Sequence, residues 1–308
     1  MKCKIKQNDF KTQHPKQKSS QILIILILTL HSCAFSSKLI KPWGFFAHKK
    51  INTLAIYTLP VDMITFYKRH QKEIEDLSVL PDQRRYIMDN EASRHYIDLD
   101  RYKISDVHFT TWAEITKNIH SDSLVKHGIV PWHIPILYQQ LKYAFVRRDT
   151  VMVIKLSAEM GHYVGDLHVP LHTTSNYDGQ KTGQTGLHAF WESRIPELLN
   201  EALEEWVGPA TFIPNISKST WDWVLESHRE VKILIDQEAK LNSTFKQSKK
   251  YTFEKKGGVL QKNYSVEYSK KYHQVLDHQI ENRFQSAYKH VGDIWYSAWI
   301  EAGQPFFK

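Results

Sequence analysis

From Trp43 onward, apolar residues return every three or four positions, and nowhere do they alternate in clean runs of period two. That period fits helices and argues against a sheet-based core. Ala47, Ile51, Leu54, Ala55 and Leu59 form one stripe, closed by Pro60. Residues 132–147 form a second, and 150–168 a third that includes Val151, Ile154, Leu156, Ala158 and Met160. Residues 187–204 form a fourth, and Trp221, Val224, Leu225, Val231 and Leu234 a fifth. The last and longest runs through Tyr272, Leu276, Ile280, Phe284, Tyr288, Val291, Trp295 and Ala298. The expectation is an all-α fold, one multi-helix domain over residues 43–308. Two stretches break the pattern. Residues 173–186 hold three glycines and no apolar run, and residues 243–263 are rich in Lys and Ser around Gly257-Gly258. Both read as loops, the second as a surface excursion whose lysines form a solvated face.

The formal charge of +8 suggests a polyanion partner until it is located. Residues 1–19 carry +5 and residues 20–42 another +2, which leaves +1 for residues 43–308. A body so close to neutral carries no strong electrostatic footprint for DNA. The basic start leads into QILIILILTL at residues 21–30, an apolar run too short to span a bilayer comfortably. Basic residues followed by about ten apolar ones make an export signal. Residues 1–42 therefore read as a leader, and the chain as exported: periplasmic, secreted or lipid-anchored. The anchor would sit at Cys33, because Leu30-His31-Ser32-Cys33 loosely resembles a lipoprotein cleavage site. Lipidation and ordinary cleavage both stay open.

Cys3 and Cys33 are the only cysteines in the sequence. The body can form no disulfide and no thiolate metal site, so any metal must be held by His, Asp, Glu or backbone. The stretch from His162 to Glu192 offers such ligands. His162/Asp166 and His188/Glu192 are spaced i,i+4, which puts both members of each pair on one helix face. Pro170 should end the first helix and let His172 enter from a new direction. One such pair is ordinarily a surface ion pair. Two pairs flanking a further histidine suggest more than one metal ion. His168 lies among them and reads as a core or supporting residue. His70, His108, His120, His127, His228, His273, His278 and His290 read by default as ordinary surface or satisfied core residues.

Upstream lie WGFFAH (Trp43, His48), LPDQRRY (Asp82) and RHYIDLD (His95, Asp98, Asp100). Each alone is weak. As an ordered set with HxxxDxxxxxH and HxxxE, they resemble the zinc-dependent phospholipase C family. That family shares its fold and three-zinc site with the fungal-type single-strand nucleases, and the resemblance spans residues 43 to about 200. It implies that Asp82, His95, His162 and Asp166 bind one zinc, and His172, His188 and Glu192 a second. A third would take His48, Asp166 as a bridge, and the amine and carbonyl of Trp43. The last role requires Trp43 to be the mature N-terminus, a cleavage that Pro42 disfavours. The resemblance also implies that zinc-activated water attacks phosphorus, with Asp82 orienting or deprotonating that water.

The two branches differ in details. Glu192 as the final carboxylate, the short loop from His172 to His188 and the HYIDLD pattern resemble the phospholipases. The four residues between Trp43 and His48 match the nucleases, and Tyr96 could stack on a base or simply wall the pocket. Tyr96 and Asp98 are the candidate substrate-binding residues. The leading expectation is a phospholipase C-like phosphodiesterase acting on phospholipid or another phosphodiester, with contact to a membrane surface. Single-strand nuclease activity on nucleic acid is the alternative, and a non-catalytic zinc-bearing surface module is the reading from another class.

Overall fold

The computed structural model describes residues 44–307 apart from Gly257. Trp43, Cys33 and the leader lie outside the described residues. Six helices of ten or more residues build the frame: α1 (Phe45–Ile56), α2 (Val130–Val146), α3 (Thr150–Leu167), α4 (Ile216–Thr244), α5 (Val266–Val275) and α6 (Gln279–Glu301). Among the described residues, no helix is long and apolar enough to cross a membrane.

Helix α3 is the axis of the frame and packs against α1, α2 and α6. Every residue from Leu156 to Leu167 is buried. A helix buried on all sides normally carries apolar residues throughout. His162 and Asp166 break that rule, and ionisable groups buried so deeply require partners or a bound ion. Small residues set how near α1 can come. A Cβ on Gly161 would lie 2.1 Å from Asn52 Oδ1 on α1, so a side chain there would wedge the two helices apart. The close approach stacks the His48 ring on His162 at 3.8 Å. On the far side, Trp295 of α6 donates its indole N–H to Ser157 O at 3.1 Å and stacks on Tyr67.

Several sequence expectations need correction. The last stripe is two helices, because Asp277 and His278 take left-handed conformations (φ 48° and 61°) between α5 and α6. The apolar rhythm runs through the break because Leu276 stays buried in the corner. The longest helix is therefore α4, with 29 residues. Residues 187–204 do not form one helix but a chain of short turns, among them a π-helical turn at Phe190–Arg194. Val151 is exposed rather than part of the core stripe. The excursion at 243–263 contains an antiparallel pair, β1 (Tyr251–Lys256) and β2 (Val259–Tyr264), in register from Tyr251↔Tyr264 to Lys256↔Val259. Tyr, Thr, Phe and Val favour extended backbone there, and Arg194 pairs with Glu254 at 2.6 Å to fix the hairpin's root.

His168 and His290 meet on the α6 side of α3, with His168 Nε2 2.8 Å from His290 Nδ1. His168 Nδ1 lies 2.7 Å from Val164 O, so its N–H donates there and its Nε2 accepts from His290. His168 is thus a core residue. Burial, with Arg283 and Lys289 nearby, pushes His290 down to about 3. A buried histidine with a depressed value binds its proton in the unfolded chain first, so stability falls as pH drops below about 6.5. Urea unfolding between pH 6 and 4 should show His290→Phe losing less stability with falling pH, by up to about 1.4 kcal/mol per pH unit. An unchanged slope would refute the neutral assignment.

Candidate metal centre

Elements both short and long converge at the C-terminal half of α3. Helix α1 brings His48, the one-turn helix Leu80–Arg84 brings Asp82, and the 3-10 turn Ala92–His95 brings His95. Helix α3 brings His162 and Asp166 and ends at Leu167, and the 3-10 turn Pro170–Thr173 then presents His172. Gly186, at φ 100°, opens the Leu187–Ala189 turn that carries His188, and the π-helical turn carries Glu192. Glycine is suited to that left-handed position because it has no Cβ to clash.

Asp166 sits in the middle. Its Oδ2 lies 2.8 Å from His95 Nδ1 and 3.3 Å from His162 Nε2. Its Oδ1 lies 3.5 Å from His48 Nε2 and 3.7 Å from His172 Nδ1. Asp82 faces the same space, its Oδ2 3.9 Å from His48 Nε2 and its Oδ1 3.8 Å from His95 Nδ1. Beside this group, Glu192 Oε2 lies 3.0 Å from His188 Nε2 and 3.3 Å from His172 Nε2. Ligand atoms come within 4.8 Å of one another in three sets: His48/Asp82/His162, His95/His162/Asp166 and His172/His188/Glu192.

The histidine rings are oriented from behind by backbone carbonyls. His162 Nδ1 lies 2.8 Å from Ser78 O, His172 Nδ1 2.7 Å from His95 O and His188 Nδ1 3.0 Å from Tyr177 O. A ring that donates its Nδ1–H outward presents a bare Nε2 lone pair inward, the arrangement typical of metal-ligating imidazoles. Burial, followed by the neighbouring His162, holds His48 and His95 well below the usual imidazole range. Both are therefore neutral, the form that ligates. Burial pushes Asp82 up to about 6 and Asp166 up to about 7. Burial also raises Glu192, but His188 and His172 outweigh it and hold that carboxyl down to about 2.

A zinc ion fits these donors. They are nitrogen and oxygen only, converge from several directions, and include Asp82 Oδ2, a buried oxygen without a hydrogen-bond partner. A nearby cation would remove the penalty that raises Asp82 and Asp166. The expected ligands His48, Asp82, His95, His162, Asp166, His172, His188 and Glu192 all lie in this cluster, whereas Trp43 lies outside the described residues.

The expected substrate residues fare differently. Asp98 belongs to none of the three ligand sets, and its Oδ2 faces His127 Nδ1 at 3.2 Å. Asp100 anchors the glycine-rich loop, accepting from Ser175 N at 2.8 Å. Tyr96 is half-buried, with its hydroxyl donated to Lys126 O at 3.1 Å. The exposed Tyr177 stands edge-on to His188 at 6.1 Å.

Sequence reasoning missed Arg85, whose Nη1 lies 3.5 Å from Asp82 Oδ1 with the side chain a third exposed. Its only signal was its position three residues after Asp82. It also missed Tyr177, which is indistinguishable from any loop tyrosine until the loop closes.

A helical frame with a buried His/Asp/Glu cluster on its central helix defines an all-α protein with a candidate metal centre. More narrowly, the chain belongs to the S1/P1 nuclease family, whose profile matches residues 43–285. Among solved structures it is similar to the alpha toxin from Clostridium absonum, at 13% identity and a TM-score of 0.49. That alignment covers 82% of this chain and 63% of the toxin, so the chain spans less than two thirds of the toxin's length. No curated protein matches the chain.

Proposed function

We propose that this protein is a zinc-dependent phosphodiesterase that cleaves single-stranded nucleic acid. The observation that carries the hydrolase reading is the set of Nε2 atoms of His162, His172 and His188, each ring held by a main-chain acceptor at Nδ1, with His162 turned to Asp166 and His172 and His188 to Glu192. Zinc bound there would acidify a water to supply the nucleophile and offset charge on the phosphoryl oxygens. The chain's own groups do the rest. Asp82, whose Oδ2 has no hydrogen-bond partner and faces His48, is placed to orient or deprotonate the attacking water. Arg85 presents an exposed guanidinium beside it to hold a phosphate oxygen. Tyr96 and Tyr177 offer ring faces on which bases can stack.

Family membership and these two tyrosines support nucleic acid over phospholipid. The second reading, a phospholipase C-like activity, is supported by Glu192 as the final carboxylate. It is also supported by Phe253 and Leu260, apolar side chains exposed on the hairpin. Single-stranded DNA, phosphatidylcholine and a generic phosphodiester should be assayed side by side, with and without chelator. The expected result is chelator-sensitive cleavage of the DNA. Zinc-loaded protein inactive on all three would leave a non-catalytic zinc module.

Metal content after zinc-replete purification should approach three ions per chain if Trp43 is the mature N-terminus. It should approach two if residues remain before Trp43, because the nitrogen is then an amide. One ion or none would sink the multinuclear reading. N-terminal sequencing of exported material tests the leader and the Cys33 anchor in the same preparation.

A further inference from the structure

Glu91 is a fully buried carboxylate that belongs to none of the ligand sets. Its Oε1 accepts from the Tyr163 hydroxyl and from Arg84 Nη2 at 3.1 Å, and its Oε2 accepts from Arg94 Nη1 at 2.8 Å. Oε1 also lies 3.9 Å from His95 Nε2, the ring nitrogen turned away from Asp166. Arg84 reaches on to Glu159 Oε1 at 2.6 Å. Two carboxylates and two guanidiniums thus close on themselves beneath the cluster, with no net charge.

Each partner of Glu91 lies within two residues of a cluster residue. Arg84 ends the one-turn helix that holds Asp82. Arg94 immediately precedes His95, and Tyr163 immediately follows His162 on α3. The Tyr163 ring stands edge-on to both His95 and His162, at 5.3 and 5.4 Å. Glu91 therefore ties three separate chain segments together at the points where each delivers a ligand. A buried ion cluster of this kind is weak evidence for stability, since apolar groups of equal volume often serve as well. Its connectivity is better matched to fixing geometry.

We propose that Glu91 is a positioning residue for the metal centre: through Arg84, Arg94 and Tyr163 it locks Asp82, His95 and His162 into one arrangement. The inference rests on the metal reading above and is independent of which phosphodiester is cleaved. Groups outside the ligands that hold the ligand-bearing segments in place typically cost about 10- to 100-fold in metal affinity when lost.

The test is zinc affinity by competition with a chromophoric chelator, together with the visible spectrum of the cobalt-substituted protein. Glu91→Gln keeps the volume and one acceptor but loses the charge. It should bind zinc about 10- to 100-fold more weakly and show an altered cobalt spectrum. Glu91→Asp keeps the charge on a shorter stem and should fall between Glu91→Gln and wild type, which also provides a folded variant if the amide disrupts folding. Asp293→Asn is the control for general destabilisation. Asp293 is a buried carboxylate on α6 that bonds Thr211 N at 2.6 Å, well away from the cluster residues in sequence and contacts. The control should lower the melting temperature while leaving zinc affinity unchanged. Wild-type affinity and spectrum in Glu91→Gln, or an equal loss in Asp293→Asn, would overturn the proposal alone. Failure of the unaltered protein to bind zinc would overturn the metal reading and the proposal together.

Discussion

Asp166→Asn should lower kcat/KM by about a thousandfold or more, while Asp98→Asn should stay within a few-fold of wild type. The contrast follows from position. Asp166 spreads its two oxygens over four histidines, at 2.8 and 3.3 Å on one side and 3.5 and 3.7 Å on the other. Asparagine keeps the shape but loses the charge and turns one acceptor into a donor facing imidazole nitrogens that must stay bare. Removing a single preorganised electrostatic group costs about 10²–10³ in rate, and if Asp166 bridges two ions as proposed, its loss should cost at least as much. Asp98 is instead engaged by His127, outside the cluster. Steady-state kinetics with metal content measured on the same samples decides the matter, and equal activity for Asp166→Asn and wild type would exclude the bridging role.

Gly161→Val should damage the fold and the candidate metal centre together. No side chain fits between α3 and α1: even a Cβ would sit 2.1 Å from Asn52 Oδ1 and 2.6 Å from Asn52 Cγ. Asn52 cannot swing aside freely, because its Nδ2 donates to His48 O at 3.0 Å. Overpacking of this kind costs about 1–3 kcal/mol, and a β-branched residue should lie at or beyond the upper end. The displaced helix is the one that carries His48, so the loss should appear twice, as a lower unfolding midpoint and as weaker zinc binding. Wild-type zinc affinity in a destabilised Gly161→Val would show that the helix contact and the ligand geometry are separable.

The fold class was legible because helical burial leaves a local signature. The stripes at 132–147 and 150–168 match α2 and α3 closely. Pro170 and the His162/Asp166 spacing located the end of α3 and its ligating face. What misled was continuity. Leu276 keeps the rhythm across a turn that Asp277 and His278 make with positive φ, and nothing in a list of apolar positions reveals that. The hairpin was hidden for the opposite reason, since Phe253 and Leu260 point to solvent and mimic no buried pattern.

The site divides in the same way. Spacing alone found the pairs His162/Asp166 and His188/Glu192. The family resemblance was needed for His48, Asp82 and His95, which reach the cluster from distant parts of the chain. Neither route could see Glu91 or Arg85. One is an acid two residues after Asp89 and the other a second arginine in a row, and both acquire meaning only through three-dimensional neighbours.

The carbonyls that hold the histidine rings belong to Ser78, His95 and Tyr177, and a carbonyl survives every side-chain replacement. Alanine scanning is therefore blind to these three supports. Substituting His95 deletes one ligand yet leaves the oxygen that steers His172, so the two halves of the cluster can be crippled one at a time. A lineage could lose an ion from one half and still inherit the other intact, provided the course of the main chain is preserved.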